Sequence, residues 1–334
     1  MHLLYLQIPQ YVGFVFTEVT NLLLLWLIMT KSSNRLGSYK HIMMSYALFS
    51  VAYAVIEILT QPVIYLSGSC FFIYVDSFLK YQKSIGLILM GLYCASFGLC
   101  VSLLATHFVY RYVAICRPHN IHQFQGYKLL RVYLVPLFCS GLWYFTIIVL
   151  LGPSDAKEEY MRDSINQMYS EDTSKLGYIA ALYYYTDSTG NLVICFIDFL
   201  GAFTLCGIMQ SCILTMVICG WKTYKKLGSV GDSMSQKTKE LNSQLFKTLV
   251  LQTLIPLCIM FGPVGALYIL PMFSISIGKW SNAPSVYAGF YPALDALVAI
   301  FMIRDFRNTV LCRKHGKKSQ ISVTPGTHHS STVA

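Results

Sequence analysis

An all-helical membrane bundle of seven spans is the fold class this chain predicts, and three observations carry it. Seven long apolar runs divide the 334 residues, at roughly 8–30, 42–66, 84–110, 132–152, 192–219, 248–273 and 284–303. Hydrophobic residues make up 55% of the chain and charged residues only 12%, about half the ~25% charged of an ordinary soluble domain. The 25 lysines and arginines fall mostly into every second gap between the runs.

Each run holds about 20 residues or more, enough at ~1.5 Å per residue to cross a hydrocarbon core of about 30 Å. That core offers no water to unpaired backbone groups, so the runs are expected as helices. The gaps 31–40, 111–131, 221–247 and 304–334 hold 3, 4, 6 and 6 basic residues, 19 in all. The other gaps, 1–7, 67–83, 152–191 and 274–283, hold 0, 2, 3 and 1, or 6 in all. Basic residues beside spans stay cytoplasmic, which predicts the N-terminus outside and the C-terminus inside. The formal charge of +10 divides into +16 on the inside gaps, −2 on the outside gaps and −4 in the runs. Such a basic inner face suits anionic lipid and a cytoplasmic protein partner rather than nucleic acid.

The elements follow in order. Run one opens after Met1-His2-Leu3-Leu4 without a basic n-region, and it is too long for a signal h-region, so an uncleaved anchor is expected. Run two carries Glu57 in its outer half. The gap after it holds Cys70, whose one plausible disulfide partner is Cys195 at the start of run five. Cys94, Cys100, Cys139, Cys206, Cys212 and Cys258 lie inside runs, where the side chain behaves as a small hydrophobe, and no metal-ligand spacing occurs. Run three has no acid and ends in His107-Phe108-Val109-Tyr110-Arg111-Tyr112, followed by Cys116-Arg117-Pro118. His107 and Arg111 are four apart and share a helix face. Arg111 either snorkels to lipid phosphate or holds neighbouring helices closed and meets a cytoplasmic partner when they open.

Residues 152–191 form a long outside gap with seven acids against three bases, read either as a solvated loop or as a lid over a pocket, the latter helped by Tyr183-Tyr184-Tyr185. Run five brings Asp198 near the outer interface, where it snorkels or contacts ligand. Run six contains Pro256, Pro263 and Pro271, which free backbone carbonyls and favour kinks. The basic stretch from Lys237 to Lys247 would then swing as a lever. Run seven holds Asp295 near mid-membrane, nine residues before Arg304. Together with Glu18, Glu57 and Asp198 it completes the acids of the runs, each a functional candidate because a carboxylate at bilayer depth is costly without a partner. The membrane domain is expected to end near 312. The tail 313–334, polar and without apolar periodicity, is expected to be disordered.

Several chemistries are excluded. Run seven has no lysine for a retinal Schiff base, and run three has no acid to face an ammonium ligand. No H-E-x-x-H, G-x-S-x-G or P-loop pattern occurs, so no enzyme or cofactor site is expected. No internal repeat is visible, which disfavours a transporter built from inverted halves, although a ligand-gated channel or small-solute transporter stays the alternative. Aromatic and aliphatic residues of the outer halves, such as Tyr93, Phe97, Phe196 and Phe261, suit a small neutral or weakly polar ligand. Glu57 and Asp198 are the rival evidence for a cation.

The stretch Gln244-Leu245-Phe246-Lys247-Thr248-Leu249-Val250-Leu251-Gln252-Thr253-Leu254-Ile255-Pro256 resembles the sixth-helix signature of nematode serpentine chemoreceptors of the Str class. The helix-three motif from His107 to Pro118 is similar to the same class, as is Tyr291-Pro292-Ala293-Leu294-Asp295 with Arg304-Asp305-Phe306-Arg307 on helix seven. The resemblance runs from about residue 10 to 312, and these residues do not separate Str from the related Srj class. It implies a G-protein-coupled receptor of chemosensory cilia that detects small, often volatile, molecules. It also implies coupling roles for His107, Arg111, Tyr112, Arg117, Lys247, Pro256, Asp295 and Arg304. Tyr110 stands where rhodopsin-like receptors keep the acid of their Asp-Arg-Tyr motif, so the usual arginine–acid lock is absent.

Overall fold

The computed structural model describes residues 4–31, 36–229 and 236–312; the tail 313–334 lies outside the described residues. Seven helical stretches are long and apolar enough to cross a membrane: Leu4–Lys31, Tyr39–Thr60, Lys83–Cys116, Gly126–Leu150, Phe196–Ser229, Thr238–Phe273 and Trp280–Met302. The helices of these spans are α1 (Leu4–Lys31), α2 (Tyr39–Thr60), α3 (Lys83–Cys116), α4 (Leu134–Phe145), α6 (Phe196–Ser229), α7 (Gln236–Pro256), α8 (Gly262–Ile269) and α9 (Ala283–Met302). A short α10 (Arg304–Val310) follows the last span, and α5 (Asp155–Tyr169) belongs to the long gap before the fifth.

Several helices outrun the apolar runs, most at the basic end. Helix α3 continues to Cys116, α6 to Ser229, and α7 starts at Gln236. Apolarity marks the part in hydrocarbon, whereas backbone hydrogen bonding continues into water for as long as the residues favour helix. The fourth span begins as 3-10 helix over Gly126–Tyr133 and ends in a π-helical turn at Thr146–Leu150. The sixth span opens into a π-helical turn at Leu257–Phe261, between Pro256 and Pro263. Proline lacks the N–H that the helix ladder needs, and a wider turn absorbs the mismatch.

Helix α3 is the most enclosed span. Helices α1 and α9 approach closely: a Cβ added at Gly13 would meet the Gly289 carbonyl oxygen at 3.0 Å. Thr17 Oγ1 donates to that carbonyl at 3.3 Å, and Asn21 Nδ2 to the Pro292 carbonyl at 3.1 Å. Small and hydroxylated residues bring membrane helices together in this way, where apolar burial supplies no drive.

The bundle carries an addition the runs did not reveal. Residues 62–66, read as the end of run two, and 192–194, read as the start of run five, are strands. Strands β1 (Pro62–Ser67), β2 (Cys70–Val75) and β3 (Tyr178–Leu182) form one antiparallel sheet, and β4 (Tyr184–Thr186) pairs with β5 (Leu192–Ile194). Helix α2 stops at Gln61, which adopts a left-handed φ of 43° while its N–H still reaches the Glu57 carbonyl at 2.7 Å. Pro62 cannot continue the ladder. Two six-residue strands then flank Gly68-Ser69, and Gly68 has φ +53°, the glycine-first arrangement of a type II′ hairpin turn. The gap 152–191 is therefore folded structure, helix α5 and strands, rather than a simple solvated loop.

Candidate functional site

Side chains alternate across a strand, and the three-stranded sheet uses both faces. Val63, Tyr65, Cys70, Phe72, Tyr74, Tyr178, Ala180 and Leu182 pack with Met161 and Ile165 of α5 into a small core of their own. Ile64, Leu66, Phe71, Ile73, Val75, Ile179 and Ala181 face the other way and join the main core of the bundle. A one-residue slip would exchange the two sets, so burial on both faces fixes the register. The sheet is thus a roof on one end of the helix bundle.

Under it lies a cavity of about 30 Å³. The roof supplies Ile64, Phe71 and Ile73; α3 supplies Tyr93, Cys94 and Phe97; α4 supplies Trp143; the sixth and seventh spans supply Val264, Leu267, Tyr268, Pro284 and Ser285. No charged side chain among the described residues lines it. Trp143 Nε1 is buried without a hydrogen-bond partner among the described residues. Below the cavity, the Tyr53 ring stacks on Tyr93 at 6.0 Å between centroids. Glu57 lies one turn further along α2, 5% exposed, with Oε1 buried and unpartnered and its carboxyl against Gly289.

The roof is tied to the helices by polar contacts. Ile64 N–H donates to Asn282 Oδ1 at 2.7 Å, and Asn282 Nδ2 donates to the Tyr169 hydroxyl of α5 at 3.2 Å. Ser276 and Ser281 donate to the carbonyls of Leu66 and Ile64 at 2.8 and 3.0 Å. The Tyr183 hydroxyl donates to the Tyr268 carbonyl at 2.7 Å. Lys80 binds Asp76 and Glu171 at 2.6 and 2.7 Å. Burial alone would lower its pKa, but the two carboxylate hydrogen bonds outweigh that and leave it above the ordinary lysine value.

Of the residues expected to touch ligand, Tyr93 and Phe97 line the cavity, and Glu57 lies beside it. Asp198 does not: its Oδ1 pairs with Lys157 Nζ of α5 at 2.7 Å, with side chains 7% and 6% exposed. The acid neither snorkels nor faces the cavity but anchors helix α5, because both buried charges need a partner. Phe261 points into a separate cleft between α6 and the sixth span, and Phe196 is 76% exposed. Cys70 and Cys195 are both free thiols, packed in the same small core, and burial pushes the Cys70 thiol up. Sequence reasoning missed the roof residues Ile64, Phe71 and Ile73, whose signal was the proline and glycine bracketing two short apolar runs.

At the opposite end the expected coupling residues gather around α3. The Arg111 guanidinium is buried over the Tyr39 ring, 3.6 Å from its centroid, and Nη1 donates to Asn242 Oδ1 of α7 at 3.4 Å. The Tyr39 hydroxyl meets His107 Nδ1 at 3.3 Å. Tyr112 lies under Arg117 and under Lys222 of α6, each 5.8 Å from its ring. Asp295 accepts from Gln252 Nε2 at 2.9 Å, which joins the sixth and seventh spans. Pro256 precedes the π-helical turn, Arg304 begins α10 on the surface, and Lys247 faces outward from α7.

The two ends are joined by rings. Tyr39, Tyr46 and Tyr53 recur every seven residues on one face of α2. Tyr39 and Tyr46 flank His107 at 5.6 and 5.4 Å. Phe49 connects Tyr46 to Tyr53 at 5.9 and 6.3 Å, and Tyr53 reaches Tyr93 and Phe97. The Tyr46 hydroxyl also hydrogen-bonds Tyr291 of α9, and Cys100 lies beside both.

Known proteins share this arrangement of sequence. The family model for the serpentine type seven-transmembrane G-protein-coupled chemoreceptor Str matches residues 6–311. The chain is 36% identical over 306 residues to serpentine receptor class r-10 of Caenorhabditis briggsae, covering 90% of this chain and 87% of that protein. It is 33% identical to serpentine receptor class r-10 of Caenorhabditis elegans, over 95% of this chain and 93% of that one. Serpentine receptor class J-38 of Caenorhabditis elegans is 24% identical over 92% of each chain. This multi-pass helical bundle with a cavity at one end, matched along nearly its whole length, belongs to the Str family of serpentine seven-transmembrane G-protein-coupled chemoreceptors.

Proposed function

We propose that this receptor binds a small neutral or weakly polar molecule, of the size of a volatile odorant, in the cavity under the sheet. Binding there promotes nucleotide exchange on a heterotrimeric G protein at the Arg111 end. The carrying observation is the cavity, lined by apolar and aromatic side chains with no charge among the described ones. Its 30 Å³ holds about one water, so a ligand binds the opened form more tightly and draws the population toward it. A ligand of about six heavy atoms at ordinary efficiency reaches roughly micromolar affinity.

The same reading puts the N-terminus and the roof outside the plasma membrane of a sensory cilium. The receptor domain ends near 312, and residues 313–334 follow it on the cytoplasmic side. The 19-to-6 division of basic residues supports the orientation. An antibody to an epitope at residue 2 is expected to bind intact cells, and one at residue 330 only permeabilised cells; the reverse pattern overturns the orientation.

Calcium signals in cells expressing the chain, screened against a volatile panel, test the ligand class. The expected agonist is uncharged, and Asp198→Asn protein that reaches the surface still responds to it, with potency lowered no more than for any other ligand. An amine that outperforms every neutral compound, and that loses its effect in Glu57→Gln, overturns the neutral-ligand reading.

A further inference from the structure

The sixth span and α6 part on one side of the bundle, and between them runs a cleft of about 1010 Å³. It is deep enough to reach Phe108 of α3, which packs where a Cβ on Gly220 would stand at 3.0 Å. Its walls include Met216, Val217, Leu254 and Phe261, and three lysines, Lys225, Lys239 and Lys247, complete them without a carboxylate among the described residues. From Lys247 to Phe261 the span advances 14 residues, about 21 Å of helix. One leaflet of a bilayer is about 15 Å deep, half of the ~30 Å core.

We propose that this cleft is a binding site for a phosphoinositide of the inner leaflet. One acyl chain lies along the apolar walls, and the phosphorylated headgroup meets the lysines. The argument is one of solvent and charge. A cleft of this size at bilayer depth, open to the side, fills with hydrocarbon, because apolar walls give water no partners and packing forbids an empty space. Three ammonium groups lining one cleft then select an anionic headgroup, and basic pockets between spans on the cytoplasmic side suit such lipids. A phosphomonoester carries about −1.5 to −2 charge, so a multiply phosphorylated inositol answers three lysines where a serine headgroup does not. Lys225 is held in place by the Trp221 ring, 5.4 Å from its centroid. The site rests on the proposed orientation, which puts these lysines in the cytoplasmic leaflet.

The test is lipid retention by the purified full chain, which needs neither agonist nor G protein and so fails separately from the receptor reading. Native mass spectrometry would follow adducts of phosphatidylinositol bisphosphate, phosphatidylserine and phosphatidylcholine added at equal concentration. The native chain is expected to retain the bisphosphate about tenfold better than phosphatidylserine. The triple variant Lys225→Gln, Lys239→Gln, Lys247→Gln should lose that preference, while Lys31→Gln, Lys40→Gln, Lys128→Gln keeps it. Leu254→Trp, which fills the groove without changing charge, should also weaken retention. Equal loss in both triple variants would mean diffuse attraction to a basic face and overturn the site. Binding of free inositol trisphosphate as tight as that of the lipid would remove the acyl chain from the proposal. A photoreactive residue at position 254 is expected to cross-link lipid in cell membranes; cross-linking to protein instead would assign the cleft to a protein partner and overturn it.

Discussion

The Arg111 guanidinium lies 3.6 Å from the centroid of the Tyr39 ring, so the arginine in the last turns of α3 is held by an aromatic face on α2. No described carboxylate pairs with it. The acid expected beside it in rhodopsin-like receptors is replaced by Tyr110, whose ring stacks on Tyr39 at 5.4 Å. Planar stacking suits a guanidinium, which is delocalised and weakly hydrated, better than it suits an ammonium. Arg111 also reaches Asn242 on α7, so the stack fixes the helix expected to swing on activation.

A desolvated cation–π contact contributes about 2 kcal/mol, or up to about 30-fold in a two-state population. Tyr39→Leu is therefore expected to raise ligand-independent nucleotide exchange by roughly that factor, while Tyr39→Phe, which keeps the ring, stays near the native level. Arg111→Lys should behave as Tyr39→Leu does. Equal basal exchange in all of these variants at normal surface density would mean that the stack restrains nothing.

The buried pair of Lys157 and Asp198 gives a second expectation. Removing one partner leaves a buried charge uncompensated, at a cost of about 3–5 kcal/mol, whereas an apolar replacement of both is close to neutral. In detergent, Asp198→Asn and Lys157→Met should each lower the melting temperature strongly, and Asp198→Leu with Lys157→Met should recover most of it. Agonist potency in Asp198→Asn should fall for all ligands alike. Selective loss for cationic agonists would return Asp198 to the ligand site.

Phe97 sets the size of the cavity floor. Phe97→Ala is expected to cost about 3–5 kcal/mol of stability through the void it leaves. It should also shift the best agonist of a homologous series toward longer chains, because the added space accepts methylenes at about 0.8 kcal/mol each. An unchanged rank order in surface-expressed Phe97→Ala protein would place the ligand elsewhere.

The bundle was legible in the sequence because hydrocarbon imposes length and apolarity on every span, and Tyr93 and Phe97 could be placed in an outer half by counting along α3. The roof was not. A strand buried on both faces reads as a continuous apolar run, so Val63 to Leu66 merged with α2, and only Pro62 and Gly68 marked the break. Pairings between elements left no local trace either: nothing near Asp198 announces Lys157, and nothing near Arg111 announces Tyr39. The spacing of Tyr39, Tyr46 and Tyr53 was visible, but heptad spacing describes a helix face and not what that face touches.

The last expectation concerns the hinge of the roof at Asn282, which is 2% exposed and joins β1, α5 and the start of α9. Asn282→Ala leaves the Ile64 N–H and the Tyr169 hydroxyl without that partner, at about 1–3 kcal/mol for a buried group. If the roof governs access, ligand dissociation should quicken by about 5- to 30-fold, the equivalent of 1–2 kcal/mol, while Asn166→Ala on the exposed side of α5 changes little. Asn282→Asp keeps the acceptor for Ile64 and should fall between them. The buried phenol beside that tie predicts a pH response. Burial pushes the Tyr169 phenol up to about 12, with the Asn282 hydrogen bond pulling weakly the other way. A group whose pKa is raised on folding stabilises fully below its unfolded value, near 10 for tyrosine, and that contribution is lost as pH climbs through the folded value. Dissociation should thus be flat with respect to this group from pH 6 to about 9 and quicken between about 10 and 12, as a charge forms on the buried phenol and loosens the roof, a rise that Tyr169→Phe removes. A lower melting temperature in Asn282→Ala with unchanged dissociation would mean that the residue supports the fold but does not gate the cavity.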